Sequence, residues 1–409
     1  MTRISLDALL VGLIGVTMLS SPSLCRSETH VAPLLAIQES FSDNFYRDAH
    51  DETSVWTTQI SPGIQFEALT DKSRIQFLYN FTHLIHHDGK EGVDSTKDDY
   101  DAHDLIIQAA TRISSRISLG IADNYFLTRE PNRADDEFTN DPEYEGDELR
   151  DITDRNEYWR NRIVPTVSYD MGEKGEAKLT YMNEVLKYTE DQRGAAGSGN
   201  AHEDSVEQRG ALTLTYHMNS RNHLAFENQV WQRDYDGNAT SDFESYQTKL
   251  VYRRELRSTL TAEVGAGYQW RKFDREDLSE TREPVFHFAL TGASDRSKVR
   301  LLFLRTINDV AQSDDFFTGY LFSISAERQI LSSIRPFVGG FYQCNDYINT
   351  SRTDNLWGFT GGLGYNFLHD IFRASVEYDH TKRDSDHADD EYAENQISLR
   401  LTARYDLGE

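Results

Sequence analysis

From about residue 34 onward, apolar and polar positions alternate one for one. Ile75, Phe77, Tyr79 and Phe81 are separated by Gln76, Leu78 and Asn80. Leu212, Leu214 and Tyr216 are separated by Thr213 and Thr215. Ile397, Leu399, Leu401, Ala403 and Tyr405 alternate with Ser398, Arg400, Thr402 and Arg404. A longer run sets Leu260, Ala262, Val264, Ala266, Tyr268 and Trp270 against Thr261, Glu263, Gly265, Gly267 and Gln269. A period of two places one set on each face of a strand. No comparable stretch has helical spacing. The pattern predicts eighteen strands, near 34–45, 55–69, 74–87, 101–113, 116–127, 157–170, 176–188, 206–218, 222–235, 243–255, 258–272, 284–294, 298–308, 316–329, 334–347, 355–367, 371–383 and 392–406.

These segments run about 11 to 15 residues, longer than a usual soluble strand. Roughly 9–11 tilted residues cross a bilayer. The connections alternate in length. One set is tight: 70–73, 114–115, 171–175, 219–221, 256–257, 295–297, 331–333 and 368–370. The other is longer and polar: 46–54, 88–100, 128–156, 189–205, 236–242, 273–283, 309–315, 348–354 and 384–391. In a meander, alternate connections fall at opposite ends. Short periplasmic turns and long external loops are the layout of an outer-membrane barrel.

Charge follows the same parity. Residues 130–154 carry −9, 88–101 carry −4, 190–207 carry −4 and 384–394 carry −6. These four segments hold −23 of a chain total of −26, and all belong to the long-loop set or its flanks. So acidic a chain repels polyphosphate, which excludes a nucleic-acid partner. Its 409 residues are only 38% hydrophobic, low for a large conventional core. A membrane barrel removes the conflict, because lipid covers one face and the interior stays wet.

The N-terminus reads differently. Leu9–Leu19 is an uncharged apolar run after a basic start, and Ser20, Ser21, Pro22 and Ser23 break it. Such a run is a secretory signal, too short to span a bilayer. Residues 1–27 are therefore expected to be a signal peptide and 28–409 one barrel. The two cysteines, Cys25 and Cys344, build neither a disulfide framework nor a zinc site. Trp56, Tyr158, Trp159, Trp231, Trp270 and Trp357 fall toward strand ends and are expected to form aromatic girdles at the membrane interfaces.

Two short segments carry a family resemblance. The first strand holds Glu39-Ser-Phe-Ser-Asp-Asn-Phe-Tyr-Arg47 and the second Ile60-Ser-Pro-Gly-Ile64. An Asp-Asn-aromatic-x-Arg strand followed by x-Pro-Gly-Ile/Val resembles the β-barrel porin family encoded in exopolysaccharide gene clusters. The resemblance covers the mature chain in layout and these two segments in motif. It implies an outer-membrane barrel that passes a secreted polysaccharide, and it names no functional residues. Such barrels commonly finish on Phe, whereas this chain ends Tyr405-Asp-Leu-Gly-Glu409, with Tyr405 the candidate for the assembly signal.

Bond chemistry finds little support. No acidic loop matches a calcium-binding EF-hand, and no Gly-x-Ser-x-Gly elbow is present. His83, His86, His87 and His103 flank the 88–100 loop, but His86 and His87 must point to opposite faces. The expectation is no enzyme, no cofactor and no bound metal. Function is sought on the lumen face instead. The assigned phase puts there Gln76, Asn80, Arg116, Lys178, Thr213, Thr215, Lys249, Arg253, Glu263, Gln269, Arg271, Arg373, Glu377, Arg400 and Arg404. Arginines, amides and hydroxyls suit a sliding hydroxylated or anionic chain; they could equally pair with one another across the lumen.

The sequence thus predicts an all-β, transmembrane, antiparallel up-and-down barrel of about eighteen strands in the bacterial outer membrane. The first functional expectation is a conduit for an extracellular polysaccharide, fed by periplasmic export machinery, with outer-membrane lipid and lipopolysaccharide as surroundings. The alternatives are a general or cation-favouring porin for small solutes, an outer-membrane enzyme, and a plugged structural or adhesive barrel.

Overall fold

The structure is a computed structural model. It describes residues 28–88, 99–129, 157–189, 204–237, 241–275, 278, 280–309, 316–350, 352–368 and 371–407. The signal segment and most of the long loops, including 130–156, lie outside the described residues.

Eighteen strands follow one another: β1 Glu28–Ser42, β2 Val55–Leu69, β3 Ser73–Asp88, β4 Tyr100–Arg112, β5 Ile117–Thr128, β6 Tyr158–Asp170, β7 Gly175–Tyr188, β8 Ser205–Asn219 and β9 Asn222–Tyr235; then β10 Phe243–Arg257, β11 Leu260–Phe273, β12 Thr281–Ser294, β13 Ser297–Asp309, β14 Phe316–Arg328, β15 Ile334–Tyr347, β16 Thr353–Phe367, β17 Phe372–Ser385 and β18 Tyr392–Arg404. Each pairs antiparallel with its neighbours in sequence, and β1 pairs with β18 as well as β2. The sheet is therefore a closed cylinder with no free edge. The start of β1 and the end of β18 lie at the short-turn end, where the Tyr405 and Leu407 N–H groups donate to the Pro33 and Val31 carbonyls.

Alternation fixes which way each side chain points. Along β8, Leu212, Leu214 and Tyr216 are exposed on the outside of the cylinder, and Thr213 and Thr215 face in. The same holds for outward Val264 and Tyr268 on β11, and for outward Ile397, Leu399 and Leu401 on β18. The apolar surface is thus mostly external, as lipid contact requires. The buried apolar clusters are small and gather near the long-loop end: Phe126, Tyr158, Leu186 and Tyr188 form one, Leu84, Tyr100 and Ala102 another.

Strand β1 departs from the expected 34–45. It begins at Glu28, because residues 28–33 pair with 64–69 of β2, and it ends at Ser42. Side chains that compete with the ladder end it. Asn44 Nδ2 donates to the Asp48 carbonyl (2.9 Å) and Oδ1 accepts from the Asp48 N–H (3.1 Å), closing a local turn. Arg47 then adopts a left-handed φ of 55°. The girdle expectation needs correcting too. Trp56, at 48% exposure, Trp270 and Trp357 are exposed on the outer surface, and Trp159 shares their outward parity. Tyr158 and Trp231, at 3% and 6% exposure, face inward.

Candidate pore lining

Strands β8 to β12 set their inward residues in register, so the lining can be read as rungs descending from the long-loop end. The first is Glu207, Arg233, Phe243 and Phe273. The second is Arg209, Trp231, Ser245, Arg271 and Thr281. The third is Ala211, Gln229, Gln247, Gln269 and Glu283. Below it come Glu227 and Lys249 beside Gly267, and lower still His223, Arg253 and Glu263.

The upper rungs are dense with charge. Glu207 is buried and accepts from Arg209 Nε (3.0 Å) and from Arg233. Glu184, equally buried on β7, accepts from Arg162 Nε (2.8 Å). The Arg271 guanidinium lies 3.9 Å from the Phe243 ring centre and donates to Ser245 Oγ (3.1 Å). Further round the wall, on β16, buried Asp354 accepts from Arg352 Nη2 (2.5 Å), Arg383 Nη2 (2.5 Å) and Ser385 Oγ (2.6 Å). Buried ions survive only when paired and hydrogen-bonded in this way.

The β13–β14 hairpin packs against the long-loop end of this region. Near its tip, residues 304–308 and 316–319 are buried on both faces, which a strand in a plain wall never is. The reason is a break in the ladder. Pairing of β12 with β13 stops at Phe286 opposite Arg305, so residues 282–285 have no ladder partner on β13 among the described residues. Beyond that point the hairpin leaves the wall. Ile307 and Phe316, whose parity lower down faces outward, pack with inward Trp231, Tyr235, Phe243 and Phe273. The Phe273 and Phe316 ring centres are 4.8 Å apart. Arg305 clasps the opened seam. It donates through Nη2 to Glu283 (2.7 Å), through Nε to Tyr320 OH (3.2 Å), and through Nη1 to the Pro284 carbonyl.

Most of the lumen residues expected from sequence have inward parity in the cylinder: Gln76, Asn80, Lys178, Thr213, Thr215, Lys249, Arg253, Glu263, Gln269, Arg271, Arg373, Glu377, Arg400 and Arg404. Arg116 is the exception. It lies in the β4–β5 turn, ahead of Ile117, and its Nη1 donates to Tyr169 OH (3.4 Å). Some inward residues meet as pairs: Arg253 Nε donates to Glu263 Oε2 (2.5 Å), whose other oxygen lies 2.9 Å from His287 Nε2. Lys249 Nζ is 3.4 Å from Glu227. Glu377 accepts from Thr360 Oγ1 (3.3 Å). The histidines do not converge. His83 faces outward beside Asp101 (2.8 Å), while His86 is buried inside against the Phe45 ring.

The sequence reading missed the buried arginine–glutamate belt, Gln229, Gln247 and the inward hairpin. A signal for the hairpin existed: Phe316-Phe317 puts two aromatics on opposite faces, so one face could not be polar.

The motif segments prove structural. Asp43, Asn44 and Arg47 bind β18: Arg47 Nε donates to Glu394 (2.9 Å), and Asn44 Nδ2 to the Ala393 carbonyl (3.1 Å). On β2, a Cβ at Gly63 would sit 2.2 Å from Asn80 Oδ1, so only glycine lets the Asn80 amide cross that strand.

A closed eighteen-strand antiparallel cylinder with an apolar exterior, tight turns at one end and long acidic loops at the other defines the class: a bacterial outer-membrane β-barrel porin. Residues 173–405, more than half the chain, match the family described as "Putative beta-barrel porin 2", and the chain belongs to that family. No curated protein matches the sequence. Among solved structures, Pseudomonas aeruginosa OccK2 (OpdF) is similar at a TM-score of 0.50 and 9% identity, with 93% of this chain and 98% of that chain covered. Acinetobacter baumannii OccAB4 aligns at 0.49 and 10% identity, over 94% and 100%. The outer membrane protein opdK of P. aeruginosa aligns at 0.49 and 9%, over 92% and 98%. At these identities the likeness speaks to fold alone, and none of these names carries an exopolysaccharide association.

Proposed function

We propose that this porin passes small hydrophilic solutes, the second of the two channel readings, in preference to a polysaccharide. The observation that carries the reading is Ile307 and Phe316, at the described ends of β13 and β14, packing on the inward faces of β9–β11. Beneath them, Phe243, Gln247, Gln269 and Arg271 are all buried, so little of the wall at that level is open to a wide polymer. A narrow, polar bore suits solutes that shed few waters at a time. Discrimination comes from hydrogen bonds and charge on the rungs, and no bond is made or broken.

The acidic loops bear on ion preference. Their negative field at the mouth concentrates cations and repels anions before the bore is reached. The proposal is tested by liposome swelling. Small sugars and amino acids should enter at rates that fall steeply with size, and added polysaccharide should leave open-channel current unchanged. Polymer that blocks the current from the periplasmic side would favour export instead.

A further inference from the structure

The three glutamines of the third rung take no part in the ion pairs around them, yet they are its most unusual members. Gln229, Gln247 and Gln269 stand directly opposite one another on β9, β10 and β11, all facing in. Neighbouring strands lie about 4.8 Å apart, so the three amides span about 10 Å along one level. Gln247 and Gln269 are only 4% and 1% exposed. Among the described residues, neither Nε2 nor Oε1 of Gln269 has a hydrogen-bond partner, and Gln229 Oε1 has none. A buried amide left unmet costs about 1–3 kcal/mol per group, and native interiors rarely tolerate it without a purpose.

We infer that this glutamine rung is a binding site for a neutral, hydroxyl-rich solute: a polyol or small sugar. The chemistry follows from what the rung offers. Each amide presents one acceptor and one two-proton donor. A hydroxyl is donor and acceptor at once, so adjacent hydroxyls satisfy both ends of an amide. An anion accepts only and would leave the glutamine oxygens unmet. It would also meet Glu283 at the end of the rung and Glu227 one rung below. A cation would leave the amide donors unmet and would lie between Arg271 above and Lys249 below. An apolar solute would strand all three amides. The rung lies below the level where Ile307 and Phe316 pack on the wall, and its last member, Glu283, is held by Arg305. A solute passing the hairpin therefore meets the amides directly below the arginine-bearing rungs. There it exchanges water for protein hydrogen bonds at little net cost, so binding is weak and saturable.

The inference rests on the porin reading and deepens it. The test uses the full chain in planar bilayers, with sucrose as the probe and polyethylene glycol of matched size as the control. Sucrose should reduce open-channel current saturably, whereas the polyether should act only in proportion to its concentration. The double substitution Gln247→Leu with Gln269→Leu should weaken the sucrose effect about tenfold, the worth of one or two neutral hydrogen bonds. Gln269→Glu keeps the shape but loses the donor, and should weaken it in a barrel of unaltered packing. Open steps that sucrose reduces no more than the polyether does would overturn the site and leave the porin standing. Equal sucrose inhibition of the wild type and both variants would overturn it as well. An absence of open steps in any preparation would defeat both readings together.

Discussion

The carboxylate of Asp43 accepts two hydrogen bonds from Asn395, 352 residues further along the chain: one from its backbone N–H (2.7 Å) and one from its Nδ2 (2.6 Å). With Arg47 on Glu394, these contacts bind the first strand to the last where the cylinder closes. Closure joins residues at the greatest sequence separation, so its loop entropy is large and local propensity contributes nothing to it. The motif segment supplies specific bonds at that seam.

Removing them should loosen the barrel without abolishing its strands. Glu394→Ala removes the carboxylate that both Arg47 Nε and Ser42 Oγ donate to and should cost about 1–3 kcal/mol. Asp43→Ala should cost about 2 kcal/mol. Both should lower the temperature at which the folded band converts to the unfolded one on a detergent gel. An unchanged transition in both would mean the seam holds by backbone pairing alone.

The same segment responds to acid. The His50 and Asp51 N–H groups donate to Asp48 (2.8 and 2.9 Å) and hold its carboxyl below the usual range. Because the folded pKa is depressed, the stabilisation is present above the unfolded value of about 3.9 and is lost as pH falls through the folded one. The 43–54 connection should become more open to an acid protease below about pH 4, and Asp48→Asn should be equally open at neutral pH.

Glycine substitutions on β11 and β8 should differ sharply. A Cβ at Gly267 would fall 1.9 Å from the Thr248 carbonyl, a backbone atom that cannot swing away. At Gly210 the nearest atom is 3.8 Å off. Gly267→Ala should therefore cost about 1–3 kcal/mol, and Gly210→Ala close to nothing. Gel-shift temperatures of the two variants report the difference.

The hairpin clasp governs the bore. Arg305→Ala removes three hydrogen bonds at the seam, worth about 1 kcal/mol each, and should free the tip. Phe316→Ala removes the ring that rests on Phe273. Each should raise single-channel conductance and relax the size cut-off in liposome swelling. The cation preference should be strongest at low salt and fade near 1 M, where the screening length is about 3 Å.

Much of this architecture was legible in the chain. Alternation such as Leu212-Thr213-Leu214-Thr215-Tyr216 fixes both the strand and its faces, because a period of two has one solution against lipid. The parity of loop length and charge likewise gave the topology and the acidic end. What escaped depends on contacts between distant strands. Trp231 reads as a girdle residue until Arg209, Phe243 and the hairpin are seen around it. Arg116 reads as a strand residue because one position separates it from Ile117. Gln229 and Gln247 look like ordinary polar positions until register sets them level with Gln269.

The most direct test of the account is the conductance of the full chain in a planar bilayer. Discrete open steps should appear, cation-favouring at low salt, unaffected by added polysaccharide and larger in Arg305→Ala. A folded, heat-modifiable barrel that gave no steps in either form would contradict it.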